Sequence, residues 1–329
     1  MKPKTAALSR GLSQCLGAGL AAAFVLALPA PRAAAETIAV FTKNNSPIFA
    51  ALRGGANVAG RALGVQVVHY VPSTPDSVPD QIKMVDDAVK DKPDAIVLVP
   101  INFTALAGAV DKINAAQIPL VNVNERLTNG KVVGYVGIDD VALARETGRY
   151  LLNAIGGKGN VAILDGPPDN LTAQGRAKGF RDVVKEFPEV KLVGAKSANY
   201  ARPLAKQVTT EFLRANPQLD GILAANDPMA IGAVDALKSY SRKAAVVGIN
   251  ASREVMDLIR SGDVIGSGDY DTFAQGCLGV AMAVNYLRKA AVAAEVMLKP
   301  LVVDKTNNAP FDQPYDKREC PPLAGVAAK

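Results

Sequence analysis

Lys92-Pro-Asp-Ala-Ile-Val-Leu-Val-Pro-Ile-Asn102 and Leu219-Asp-Gly-Ile-Leu-Ala-Ala-Asn226 are the two stretches that decide the fold of this chain. Each holds a near-continuous apolar run and ends in an asparagine. Each is followed by a helical stretch and a second apolar run with the same ending, Ile118-Pro-Leu-Val-Asn-Val-Asn124 and Ala245-Val-Val-Gly-Ile-Asn250. Runs without alternation are buried on both faces, the condition of a parallel sheet covered by helices on either side. The repetition of the pattern implies two similar lobes.

Working outward, β-branched runs mark ten candidate strands at 37–42, 65–70, 95–99, 119–123, 132–138, 161–165, 191–198, 221–224, 245–249 and 264–267. Helical periods lie between them. In the first, Ile48, Leu52, Ala56, Ala59 and Leu63 recur at spacings of three and four and share one face. Strands alternating with helices give an α/β fold with two parallel-sheet lobes. With 329 residues, the chain exceeds what one core usually covers, which agrees with two domains.

Composition narrows the chemistry. Half the chain is apolar (49%) and there is one histidine, His69, so two-histidine metal sites and zinc fingers are excluded. Lys2, Lys4 and Arg10 precede an apolar run at 16–28, followed by Pro29-Ala-Pro31 and Ala33-Ala-Ala35. That order reads as a secretory signal peptide over residues 1–35, cut near Ala35, and implies a periplasmic protein. The leader holds Lys2, Lys4, Arg10 and Arg32 and no acid, so removing it leaves 33 basic against 31 acidic residues. The net charge of +6 is mostly a property of the leader, and no nucleic-acid partner is expected. Cys15 leaves with it. Cys277 and Cys320 remain, read as a disulfide tying the tail to a helix, the alternative being two free thiols.

The strand ends carry the functional signal. Thr42-Lys43-Asn44-Asn45, Asn102, Asn124-Glu125-Arg126, Asp165, Asn199-Tyr200, Asn226-Asp227, Asn250 and Asp269-Tyr270-Asp271 each follow an apolar run. Ligands of open parallel sheets bind outside the carboxyl ends of the strands, so two facing lobes would enclose a polar cleft. Turn-making and helix capping account for many of these residues equally well; of Asn226-Asp227, Asp227 is read as the cap and Asn226 as the ligand group. No GxGxxG or GxxxxGK[ST] follows a strand, and Gly266-Ser267-Gly268 lacks the spacing of a nucleophile elbow. Glu125 and Asp269 could serve as the carboxylate pair of a glycosidase. Most other cleft positions are amides, which hydrogen-bond without titrating, so the expectation is a non-enzyme with no catalytic residue, metal or cofactor.

Through Asn44-Asn-Ser-Pro-Ile-Phe49, Gln174-Gly-Arg-Ala-Lys-Gly-Phe180, Asn226-Asp-Pro-Met-Ala-Ile-Gly-Ala233 and Val246-Val-Gly-Ile-Asn250, the chain resembles periplasmic sugar-binding proteins of the ribose-binding type, receptors of ABC importers. The similarity runs over most of residues 36–298. The resemblance implies two Rossmann-like lobes, 36–139 with 271–300 and 140–270 with 301–329, joined by three hinge strands near Asp139, Tyr270 and Leu301. It implies a ligand held by Asn45 or Ser46 with Ile48 and Phe49 packing on it, by Asn124 and Glu125, by Gln174 in place of an arginine, and by Tyr200, Asn226, Ile249, Asn250, Asp269 and Tyr270. It also implies a monomer that closes on its ligand and delivers it to a membrane permease. Two of the family's arginines are absent from these positions and a carboxylate is gained, which points to a sugar or polyol other than ribose. An amino compound or signalling molecule is the competing ligand. A sugar-responsive repressor shares the fold but would carry a helix-turn-helix where this chain has its leader.

Overall fold

The structure is a computed structural model and describes Met1 and residues 35–328. The signal-peptide reading lies outside the described residues. In chain order the first half comprises β1 (Thr37–Phe41), α1 (Pro47–Leu63), β2 (Gln66–Tyr70), α2 (Val78–Asp91), β3 (Ala95–Leu98), α3 (Ala107–Ala115), β4 (Leu120–Val123) and β5 (Gly134–Ile138). Next come α4 (Asp140–Ala154), β6 (Lys158–Asp165), α5 (Leu171–Val184), β7 (Glu189–Ser197), α6 (Arg202–Ala215), β8 (Gly221–Ala224), α7 (Asp227–Ser239), β9 (Ala245–Ile249), α8 (Arg253–Ser261) and β10 (Gly266–Gly268). The chain closes with α9 (Thr272–Leu287), β11 (Glu295–Leu298), β12 (Val302–Val303) and three short 3-10 turns.

The strands form two six-stranded sheets, ordered β11-β5-β4-β3-β1-β2 and β12-β10-β9-β8-β6-β7. The first is parallel throughout. The second is parallel except for β12, which runs antiparallel to β10. In both lobes the first strand, β1 or β6, lies between the second and third. The crossovers therefore leave to opposite sides there, and a crevice opens at the carboxyl ends of β1 and β3 and of β6 and β8. All ten candidate strands are present. The sequence reading missed β11 and β12, which are short and stand alone between turns.

Apolar packing follows the lobes. In the first, Leu52, Ala56 and Ala59 of α1 meet α9, which is buried along nearly its whole length from Thr272 to Val284. The two helices touch at Gly55 and Gly276: a Cβ on Gly55 would lie 2.0 Å from the Phe273 carbonyl oxygen, and one on Gly276 2.0 Å from that of Leu52. Any side chain there would force the pair apart. The opposite face of the same sheet packs on α2 and α3 through Val85, Ala88, Val110 and Ile113. The second lobe holds one cluster that includes Leu151, Ile163, Phe180, Phe212, Leu223 and Val247.

Three crossings form the hinge between the lobes, at Asp139 between β5 and α4, at Tyr270–Asp271 between β10 and α9, and at 299–301 between β11 and β12; the tail crosses once more near 313–314. The tail departs from the boundary implied by the resemblance. β12 and Phe311 belong to the second lobe. From Tyr315 onward the chain returns to the first lobe, where Val326 is fully buried and Cys320 is bonded to Cys277 of α9 with Cα atoms 5.7 Å apart. Burial of Val326 and the cystine, rather than strand order, decide where the tail lies.

Candidate functional site

On the first lobe, the loop after β1 and the loop after β4 are joined by an ion pair between Lys43 and Glu125, whose side chains are 11% and 4% exposed. Asn124 adopts φ 70°, which turns its carbonyl to accept from the Tyr135 hydroxyl at 2.6 Å. Its Nδ2 donates to Gln275 Oε1 at 3.1 Å, and Gln275 Nε2 donates to the Tyr270 carbonyl at 2.6 Å. The first lobe's floor is thus tied to a hinge crossing. Asn45 is exposed, its Oδ1 accepting from Arg53 at 3.1 Å. Ser46 caps α1 by backbone geometry alone, and its Oγ is buried without a hydrogen-bond partner. Ile48 packs against the cores of both lobes, whereas Phe49 is buried within the first.

The second lobe corrects the expected position of its polar anchor. Gln174 is exposed and donates to the Pro168 carbonyl at 2.8 Å, while Arg176, two residues on, is only 3% exposed. On α5 the inward positions are Ala173, Arg176 and Phe180, a spacing of three and four, and Gln174 falls off that face. Arg176 Nε donates to Asp140 Oδ1 at 2.9 Å, and its Nη1 donates to the Ala225 carbonyl at 2.8 Å and to Asn250 Oδ1 at 3.3 Å. Its guanidinium lies 4.6 Å from the Tyr270 ring centroid and 5.9 Å from that of Tyr200. Burial opposes the Arg176 charge, but the Tyr200, Asp140 and Tyr270 oxygens outweigh it and raise its pKa. Burial pushes the Asp140 carboxyl up to about 6 against the pull of Arg176, so near neutral pH the two form an ion pair.

Asn226, not Asp227, is the cap of α7. Its Oδ1 accepts from the Met229 amide at 2.9 Å while its Nδ2 donates to the Tyr200 carbonyl at 3.2 Å. Both ends of its amide are engaged within the second lobe. Asp227 is fully buried, accepts from the Ser252 amide at 2.7 Å and from Ser267 Oγ at 2.5 Å, and burial pushes its carboxyl up to about 6. Ile249 is likewise fully buried in the core and lies behind the cleft wall. Its side chain points away because residues alternate across a strand, and Asn250, the next position, is the half-exposed one.

Tyr200 has φ 60°, stands over Gly166 and keeps a buried hydroxyl without a partner. Asp269 lines one enclosure with Ile48, Asn250 and Ser252. Its Oδ1 accepts from the Asp271 amide at 2.7 Å. Burial first, and then the Asp271 charge, hold its carboxyl well above the usual range, so it is a poor anion. Tyr270 is 2% exposed, and its hydroxyl faces Asp140 Oδ2 at 3.4 Å.

The fold therefore brings Asn124, Glu125, Tyr200, Asn226, Asn250 and Tyr270 into one connected network and leaves Asn45, Gln174 and Ile249 outside it. The sequence reading missed Lys43, Asp140, Arg176 and Gln275. Arg176 was within reach, since it lies in a quoted motif and has the periodicity of Ala173 and Phe180. Among the described residues no group of three or more His, Cys, Asp or Glu could hold a metal ion, and no helix is long and apolar enough to cross a membrane.

The sequence and fold match known proteins along most of their length. A model of the periplasmic binding protein domain matches residues 38–291. The xylitol-binding protein of Mycolicibacterium smegmatis is 30% identical over 279 residues, 84% of this chain and 77% of that protein. The D-apiose import binding protein of Paraburkholderia graminis is 34% identical over 234 residues, covering 70% and 74%. A periplasmic solute-binding protein of an ABC transporter from Actinobacillus succinogenes, solved with bound D-allose, superposes with a TM-score of 0.79 at 30% identity over 83% of this chain and 99% of that one. Two parallel-sheet lobes with matching crevices, three crossings between them, and a family match over residues 38–291 place this chain in the periplasmic binding protein domain family.

Proposed function

We propose that this chain is the solute-binding component of an ABC importer and captures a small, uncharged, polyhydroxylated molecule, a sugar or polyol, without altering it. The observation that carries this reading is that two of the four buried hydroxyls lacking partners among the described residues, Ser46 Oγ on the first lobe and Tyr200 on the second, stand in loops at the carboxyl ends of strands. A buried polar group left unsatisfied costs about 1–3 kcal/mol, and a ligand rich in hydroxyls supplies a donor or acceptor to each. Charge balance supports the uncharged class. Glu125 is paired with Lys43, Asp140 with Arg176, and Asp269 resists ionising. Asp271, beside Asp269 in the same enclosure, is likewise held above the usual carboxylate range by burial, so a cationic amine would find no ready unpaired anion among these named acids. Relatives named for xylitol and D-apiose, and a similar structure solved with bound D-allose, support the choice.

In this reading Arg176, Asn250 and Tyr200 grip from one lobe, and Ser46 with Ile48 from the other. Only the closed form offers both sets, so the ligand shifts the population toward closure, and closure is what the permease recognises. The protein acts as a monomer in the periplasm after losing its leader. Thermal-shift screening of xylitol, D-apiose, D-allose and a panel of aliphatic amines tests the ligand class. A ligand at 100 times its dissociation constant adds about 2.7 kcal/mol. Stabilisation by a sugar or polyol, recovered unchanged, is the expected result; stabilisation by the amines alone would overturn the reading.

A further inference from the structure

The tail is held by both lobes at points only three residues apart. On the second lobe, Asp304 accepts from the Tyr150 hydroxyl of α4 at 3.0 Å, Phe311 is buried in the core, and Asp312 pairs with Arg260 of α8. On the first lobe, Tyr315 sits over Gly54 of α1 and donates to the Pro47 carbonyl at 3.3 Å, and Cys320 is bonded to Cys277 of α9. Arg318 joins the two sets: its guanidinium lies 4.4 Å from the centroid of Phe273 of α9 and 5.2 Å from that of Phe311.

The link between these anchors is already stretched. Gln313 has φ −73° and ψ 144°, and Pro314 has φ −54° and ψ 143°. Backbone of that kind advances about 3.1 Å per residue, against roughly 3.3–3.6 Å for a fully extended chain. Gln313 and Pro314 can therefore lengthen by less than about 1 Å each before an anchor must let go. The helices they connect flank the cleft, since Pro47 and Ala51 of α1 and Ser252 and Arg253 at the start of α8 line one enclosure with Phe311, Tyr315 and Arg318.

We propose that residues 304–320 form a strap, a fourth connection between the lobes, which limits how far α8 can swing away from α1 and so restricts opening of the cleft. The three crossings of the hinge permit rotation; the strap sets its stop. It acts through length rather than affinity, and it holds whether or not a ligand is present. The disulfide fixes the first-lobe end to α9, so that the strap cannot slide along α1.

Lengthening the link separates this role from simple packing. Inserting Gly-Ser-Gly-Ser between Gln313 and Pro314 leaves every anchoring side chain in place, and Phe311→Ala loosens the second-lobe anchor instead. Small-angle scattering of the dialysed full-length mature protein, with the cystine intact, reads the radius of gyration without any ligand. A larger radius in the insertion variant and in Phe311→Ala than in the parent, with thermal unfolding still cooperative, is the expected result. An unchanged radius in both folded variants would overturn the strap. If one variant fails to fold, the other decides.

Discussion

The Arg176 guanidinium lies 4.6 Å from the centroid of the Tyr270 ring, so a residue of α5 is seated against one hinge crossing. The same group bonds Asp140, which begins α4 immediately after another crossing. Arg176 thereby connects the cleft wall to two of the three segments that must twist when the lobes move. Arg176→Lys keeps the charge but cannot span Asp140, the Ala225 carbonyl and Asn250 together, because an ammonium is a point charge and lacks the guanidinium fork. Its affinity for the sugar or polyol giving the largest thermal shift falls at least tenfold by calorimetry, about 1.4 kcal/mol, with the fold retained. Arg176→Ala also strands Asp140 and destabilises by about 3–5 kcal/mol in urea unfolding.

Asn226→Ala is expected to act on stability before affinity. Loss of the α7 cap costs about 1 kcal/mol, while Asn226→Ser keeps a capping oxygen and loses little. Urea midpoints for the two variants check the ordering; equal midpoints would remove the cap from the account.

Lys43→Met leaves Glu125 buried without its partner and should cost several kcal/mol, since removing one member of a buried pair strands the other charge. Combining it with Glu125→Gln should recover most of that loss. A double-mutant cycle on unfolding free energies measures the coupling, and additive losses would show that the pair contributes nothing.

Asp227 gives stability an uncommon pH dependence. Burial raises its folded pKa to about 6, above the unfolded value of 3.8. Between these values the folded state holds a proton that the unfolded state has released, so this residue's contribution falls as pH rises through the window. The full effect, about 3 kcal/mol for the raised pKa, is present above pH 6. Melting temperatures from pH 4 to 7 should therefore decline relative to Asp227→Asn. Parallel curves for the two proteins would contradict the assignment.

The bond between Cys277 and Cys320 closes a loop with a sequence separation of 43. On chain-entropy grounds, replacing both by serine costs about 4 kcal/mol. Denaturant titration of the double variant under non-reducing conditions provides the number, and a loss below about 1 kcal/mol would mean that the tail stays docked through Val326 and Tyr315 alone.

The sequence alone was enough to establish the two-lobed α/β architecture and the polar strand ends, because burial on both faces of a parallel strand is recorded locally, as unbroken runs such as those at 95–99 and 245–249. The polar residues at Asn250 and Asp269 were legible for the same reason: each directly follows a strand, β9 or β10, whose register is set by its own residues. Only the tertiary structure decided which side chains have one another as partners. Lys43 meets Glu125 across 82 positions, and Asn124 meets Gln275 across 151, distances over which no local pattern reports. It also decided between neighbours that composition treats alike. Gln174 and Arg176 differ by 200° around one helix, and Asn226 and Asp227 by one peptide unit, so rotation and backbone direction, set by packing, assign one to the cleft network and the other elsewhere.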